Sequence, residues 1–284
     1  MPSLHALHGA GHDVALVVTQ PDRPGHRLRL TPPPVKVAAQ ELGIEVHQPE
    51  RIRAPESVAR LAAAAPELIV VVAYGQIIPR AVLEIPPRGV LNVHGSLLPR
   101  YRGAAPIAHA VLSGDPVTGV TIMRMDELLD HGPVLAMRET PIGPHEDGAA
   151  LAERLAPMGA ELLVETIVRL DEIVPLEQDH AAATLAPKLS REDGELEWDL
   201  DARELDLRIR GLQPWPGVTL PFAGGRVKVL RGRPLPGHGA PGEVLRVGRD
   251  GVEVAAGRGS YLLEVVQPPG RRQTPPQALV VERA

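Results

Sequence analysis

Over the first two thirds of the chain, short runs of aliphatic and β-branched residues alternate with stretches of helical spacing. The VALVVT run between Asp13 and Gln20 predicts a buried strand, because it is continuously apolar and followed by turn residues. Val35 to Leu42 carries apolar positions at helical intervals, with Gly43 set to end the helix, and Ile44–Val46 predicts a short strand. Glu56 to Ala65 predicts an alanine-rich helix closed by Pro66. Leu68 to Tyr74 is apolar at every other position and between, as in a strand covered on both faces of a parallel sheet. Gly89–Gly95 and Gly119–Asp126 read as further strands, Ala104–Leu112 as a helix, and residues 147–173 as one long amphipathic helix. Repeated strand–helix units of this kind predict an α/β fold with a doubly wound, mostly parallel sheet. Such folds open with a strand. Here the first element is a helix, Ser3 to His8, so the first strand is expected to be missing.

After Pro175 the rhythm changes. Residues 175–206 are mixed and polar and read as a crossing segment or linker. Beyond them Arg226–Leu230, Gly242–Val247, Gly251–Ala255 and Tyr261–Val266 are short apolar runs separated by Gly and Pro. That spacing predicts a small OB-like β-barrel. The expected domains are 1–174, a linker at 175–206, and a barrel at 207–284.

Composition narrows the function. The chain has 284 residues and no cysteine, which excludes disulfides, thiolate metal sites and cysteine nucleophiles. Aromatics make up 2%, so the core is aliphatic. The longest apolar run, Leu68 to Ala73, is far below the roughly 20 residues a membrane helix needs. The first residues lack the basic and apolar pattern of a signal peptide. A cytoplasmic protein with no membrane partner is expected. The net charge of −5 divides unevenly: residues 207–284 hold 12 Lys+Arg against 5 Asp+Glu, a net of +7, and the remainder nets −12. A basic C-terminal part on an acidic body points to a polyanion, although surface charge also drifts between domains without function.

Three segments carry candidate chemistry. Asn92 and His94 stand two apart on a predicted strand, so they share a face at the strand's C-terminal end, where open α/β sheets hold ligands. An amide N–H stabilises a developing oxyanion, and an imidazole moves a proton near neutral pH. The plainer reading is a capped strand end and a satisfied buried histidine. Asp130 lies on the loop after the next strand, either orienting a histidine or forming an ordinary turn before Gly132-Pro133; His131 reads as incidental. The third segment, Gln20 to Lys36, is a Pro- and Gly-rich loop with Arg23, Arg27, Arg29 and Lys36 against Asp22. It suits phosphate contact or a solvated connector equally. No dinucleotide fingerprint, phosphate-binding loop, His-Glu-x-x-His or Gly-x-Ser-x-Gly elbow occurs.

The run from Asn92 to Ile107, NVHGSLLPRYRGAAPI, resembles the signature of the folate-dependent formyltransferases. Thr19–Pro24, Val71–Gly75, Gly119–Met123, Ala186–Ser190 and Pro214–Gly217 are similar to that family as well, in its order. The resemblance implies Asn92, His94 and Asp130 as the catalytic set, and Ser96, Leu97, Leu98 and Pro99 as the folate-contacting run. It implies 10-formyltetrahydrofolate as donor and no metal. The branch it matches best formylates initiator methionyl-tRNA, held by the C-terminal barrel and by the basic loop at Arg27, Arg29 and Lys36; a monomer is expected. In the implied mechanism Asp130 raises the pKa of His94, whose protonated ring steadies an oxyanion. A formyltransferase acting on a nucleotide-sugar amine, or an inactive truncated tRNA-binding homologue, are the alternatives. The family has a strand and a Gly-Thr-Pro loop ahead of the first helix, Gly at position 128 and a small hydroxyl residue at 131. Here that strand is expected to be missing, and Leu128 and His131 stand at the other two positions; a left-handed backbone at Leu128 would be strained.

Overall fold

The computed structural model describes residues 1–24 and 30–281. In chain order the elements are α1 (Pro2–Gly9), β1 (Val17–Val18), β2 (Arg23–Pro24), β3 (Leu30–Thr31), α2 (Pro34–Glu41), β4 (Val46–His47), α3 (Pro55–Ala63), β5 (Ile69–Val71), α4 (Arg80–Leu83), β6 (Val90–His94), β7 (Arg102–Gly103) and α5 (Pro106–Leu112). There follow β8 (Val117–Arg124), β9 (Val134–Pro141), α6 (Gly148–Val168), β10 (Leu185–Ala186), α7 (Ala202–Gly211), β11 (Val218–Phe222), β12 (Gly225–Leu235), β13 (Val244–Gly248), β14 (Gly251–Ala255), β15 (Ser260–Gln267) and α8 (Gln277–Val281). The chain forms two units. The first comprises Met1–Pro106, Val117–Pro141 and Ala152–Pro187; the second comprises Ile107–Pro116, Ile142–Leu151 and Lys188 onward.

In the first unit the main sheet has the order β5-β6-β8-β9. Leu91 and Ile122 from this sheet, with Leu135 of β9, pack on Leu162, Leu163 and Ile167 of α6. Gly159 permits that approach, since a Cβ there would stand 2.9 Å from Val93 and 3.2 Å from Val120. The α/β character matches the expectation, but the sheet is mixed. Only β5 and β6 run parallel, whereas β6–β8 and β8–β9 are antiparallel. The reason lies in α5: from Ile107 it belongs to the second unit, so it is not a crossover on this sheet. Strand β9, with its alternating buried and exposed positions, is an addition to the sequence reading.

Strand β1 pairs in parallel with β4, and among the described residues no strand joins either of them to β5. The expected single sheet is thus present in pieces. Strand β5 is also shorter than its apolar run. Ala73 and Gly75 take left-handed backbone (φ 46° and 79°), which turns the chain away after Val71.

In the second unit β11-β12-β15-β14-β13 form an antiparallel sheet. Its edge strands β11 and β13 do not pair among the described residues, so no closed barrel is found. Helix α7 explains how an open sheet keeps a buried core: its Leu205 and Ile209, with Leu212 just after it, cluster with Val218, Val229, Val254 and Leu263. Asp201 caps α7 by accepting from the Arg203 N–H at 2.7 Å, and Glu204–Arg208 and Asp206–Arg210 pair one turn apart. The helix therefore begins inside the segment read as a linker.

That boundary also corrects the charge reading. Counted from Lys188, where the second unit's long segment starts, there are 15 Lys+Arg against 13 Asp+Glu. The excess of 7 came from cutting at 207, which left out acidic partners: Arg226 pairs with Glu197, Arg258 with Asp201 and Arg210 with Asp206.

Candidate active site

Strand alternation puts Asn92 and His94 on one face of β6, and both reach the carboxylate of Asp130. Asn92 Nδ2 donates to Asp130 Oδ1 at 3.1 Å, and His94 Nδ1 stands 3.7 Å from the same oxygen. The Gly103 N–H donates to the other oxygen, Oδ2, at 2.8 Å. His94 is 4% exposed. Its Nε2 lies 2.9 Å from the Tyr101 carbonyl oxygen. A carbonyl only accepts, so Nε2 carries the proton and Nδ1 is the nitrogen left to exchange one beside Asp130. The plainer reading holds in that the ring is buried and bonded to Tyr101; beyond it, Asn92 and Gly103 donate to one carboxylate with His94 beside it.

Burial holds the His94 pKa below its ordinary 6.5, against the opposing pull of Asp130 and of the Tyr101 carbonyl. Asp130 does pull upward as expected, but desolvation is the larger effect. The imidazole is therefore neutral at rest near pH 7. In the unfolded chain it protonates at higher pH than in the folded protein. Stability from the neutral ring is thus present above about pH 6.5 and is lost as pH falls toward the lower folded-state value. The His94→Asn variant should lose urea stability less steeply than the wild type between about pH 7 and pH 5. Parallel curves would contradict the neutral buried state.

The loop bearing Asp130 resolves the question at Leu128. Asp130 itself takes the left-handed backbone, with φ 44°, while Leu128 has no positive φ and donates its N–H to Asp126 Oδ1 at 2.9 Å in a local turn. His131 has partners of its own in the fold. Its Nδ1 lies 2.7 Å from Asp126 Oδ2, and its ring stacks on His180 with centroids 4.0 Å apart.

The residues after His94 divide by burial. The Ser96 side chain is enclosed, its hydroxyl donating to the Arg100 carbonyl at 2.6 Å, and Leu98 packs on Met123 and Val134. Both side chains help shape the turn. Leu97 and Pro99 remain half-buried and keep surface to offer. Thr121 of β8 locks this turn, its hydroxyl accepting from the Leu98 N–H at 3.2 Å and donating to the Ser96 carbonyl at 2.6 Å.

Of the basic-loop candidates, Arg27 and Arg29 lie outside the described residues. Lys36 sits on α2 with Nζ 2.8 Å from Asp22 Oδ2, and Gln48 donates to the same carboxylate at 2.8 Å. The Lys36 ammonium is thus paired with Asp22 in this structure.

Sequence reasoning saw Arg102 only within the signature, with no role of its own, and missed Gln178, which is buried and donates to the Asp130 carbonyl. Their link spans 76 residues of sequence, so no local motif announces it. Gly103 was visible only as part of the signature. A Cβ there would stand 2.6 Å from the Ala186 carbonyl oxygen, and φ is 125°, so only glycine brings this N–H to Asp130.

Residues 3–167 match the formyl transferase family, and residues 188–282 match the formyl transferase C-terminal domain. The chain belongs to the formyl transferase family. Within it, the chain is 48% identical over 277 residues to the methionyl-tRNA formyltransferase of Citrifermentans bemidjiense, covering 96% of this chain and 87% of that protein. It is 50% identical over 276 residues to a methionyl-tRNA formyltransferase of Thermus thermophilus, covering 97% of this chain and 90% of that protein. Among solved structures, the N-formyltransferase of Helicobacter canadensis, in complex with folinic acid and dTDP-3-aminofucose, superposes with a TM-score of 0.68. That likeness covers 92% of this chain and 94% of the other at 14% identity, and speaks for the fold alone.

Proposed function

We infer that this chain is an enzyme that transfers the formyl group of 10-formyltetrahydrofolate to the α-amino group of methionyl-initiator-tRNA. The observation that carries the chemistry is the meeting of Asn92, His94 and Gly103 on the Asp130 carboxylate. The acceptor rests on the identity, near one half over almost the whole chain, to enzymes named for that reaction.

The amine titrates at about 7.7–8.0 in model peptides, so its neutral fraction at pH 7 is usable but incomplete. A neutral His94 Nδ1 takes the proton the amine sheds as its nitrogen bonds to the formyl carbon. This order departs from the expectation of a ring already protonated, because burial keeps it neutral. The imidazolium so formed is steadied by Asp130, and with an Asn92 N–H it stabilises the oxyanion of the tetrahedral adduct. His94 then returns the proton to the folate nitrogen as its bond to the formyl carbon breaks. Bonds and protons balance with no covalent enzyme intermediate. The run Ser96, Leu97, Leu98 and Pro99 is the segment proposed for the folate, with Leu97 and Pro99 as its half-buried surface.

In this proposal residues 1–174 form the catalytic part. The five-stranded sheet with α7, its β12 irregular in register between Val229 and Gly232, is in this proposal an OB-like module that holds the tRNA. The protein acts as a cytoplasmic monomer; among the described residues no helix is long and apolar enough to cross a membrane. The test offers the purified protein and 10-formyltetrahydrofolate both methionyl-tRNA and a nucleotide-linked amino sugar. The expected product is formylmethionyl-tRNA alone. Formylated sugar with untouched tRNA would overturn the acceptor.

A further inference from the structure

Asp130 is held at both ends, and only one end is explained by the catalytic set. Its carboxylate meets Asn92, His94 and Gly103. Its backbone, in a left-handed conformation that L-residues rarely adopt, is gripped from the other side by a single amide. Gln178 Nε2 donates to the Asp130 carbonyl at 2.9 Å and to the Gly132 carbonyl at 2.7 Å. Its Oε1 accepts from Arg102 Nε at 3.1 Å and Nη2 at 2.6 Å. Two carbonyls only accept and a guanidinium only donates, so the amide fits in one orientation, with every hydrogen spent.

Arg102 is buried in turn, and Nη2 also donates to His180 Nδ1 at 2.9 Å. Arg102 and Gly103 form β7, which pairs in parallel with β10. One two-residue strand thus fixes the catalytic carboxylate twice, by the Gly103 N–H directly and by the Arg102 side chain through Gln178.

We propose that Gln178, oriented by Arg102, is a positioning residue for formyl transfer, fixing the Asp130 carboxylate between Asn92 and His94. The proposal rests on the roles inferred above for Asp130 and His94. Gln178 bonds the Asp130 and Gly132 carbonyls and Arg102, and acts by holding the left-handed turn in register. A displacement of about 1 Å at such a group is enough to cost about 100-fold in rate.

The test uses the full chain, with Gln178→Met, which keeps volume and removes the hydrogen bonds, and Arg102→Lys, which keeps charge and removes the planar fork. Asp130→Asn is the reference. For Gln178→Met, kcat should fall about 100-fold with little change in KM for donor or acceptor. The lower of the two ionisations on the acid limb of kcat/KM, that of His94 beneath that of the acceptor amine, should move to lower pH, since a displaced Asp130 no longer favours the protonated ring of His94. Arg102→Lys should move both in the same direction, and it carries the test if Gln178→Met does not fold. The proposal is overturned if the variants keep wild-type kcat and acid limb while Asp130→Asn is impaired. It is also overturned if only melting temperature changes, or if kcat falls with the limb unmoved. An unimpaired Asp130→Asn would instead remove the underlying reading of the site.

Discussion

Replacing His94 with alanine is expected to lower kcat about 10²–10⁴-fold, the usual worth of a positioned acid–base group. Its Nδ1 is the one nitrogen free to take the proton from the amine, because Nε2 is committed to the Tyr101 carbonyl. No other imidazole of the described residues meets Asp130, so nothing nearby substitutes for it. The fold should survive. The loss leaves one carbonyl without its donor, a cost of about 1–3 kcal/mol. Steady-state kinetics with methionyl-tRNA read the effect. KM values should change far less than kcat, since the ring acts on the proton and not on either substrate's binding surface. A variant with near-normal kcat would contradict the mechanism.

Replacing Asn92 with alanine should cost about 10²–10³-fold in kcat, or about 2.7–4 kcal/mol, if its amide is an oxyanion donor. In the free protein Nδ2 already donates to Asp130 Oδ1. An amide nitrogen has two hydrogens, so the bond that orients the group leaves one for the formyl oxygen. The two roles separate by substitution. Asn92→Asp keeps the shape, removes both donors, and sets a second negative charge against Asp130; it should be no better than alanine. A change confined to KM in either variant would mean that Asn92 binds substrate equally in ground and transition states, and would exclude it as an oxyanion donor.

How much of this was legible in the chain follows from the range of each interaction. Period-two alternation put Asn92 and His94 on one face, and the structure keeps them there. Asp130 was different: the residue spacing left a turn and a catalytic role equally open, and only the resemblance chose. Gln178 and the role of Arg102 escaped because long-range hydrogen bonds leave no periodic trace. Helix α7 is hard to read from the chain because its acidic first turn resembles polar linker, although Leu205 and Ile209 are four apart on its buried face. Strand direction was not legible either. A strand, a helix and a strand in sequence imply a parallel pair only when the helix packs on that sheet, and α5 belongs elsewhere.

The charge count teaches the same lesson about boundaries. A cut at 207 separated arginines from the carboxylates that neutralise them. Moving it to Lys188 leaves a nearly balanced unit, so bulk charge is no support for RNA binding. The case for tRNA as acceptor therefore rests on the relatives and on experiment.

Single-turnover formylation of methionyl-tRNA, with enzyme in excess and label in the formyl group of the folate donor, tests the central claim most directly. Wild type and His94→Ala are compared in the same preparation. The expected result is label passing to the methionyl amine with the wild type, none retained on the protein, and a transfer rate at least about 100-fold lower in the variant. No formylmethionyl-tRNA from the wild type, or equal rates from the two proteins, would contradict it.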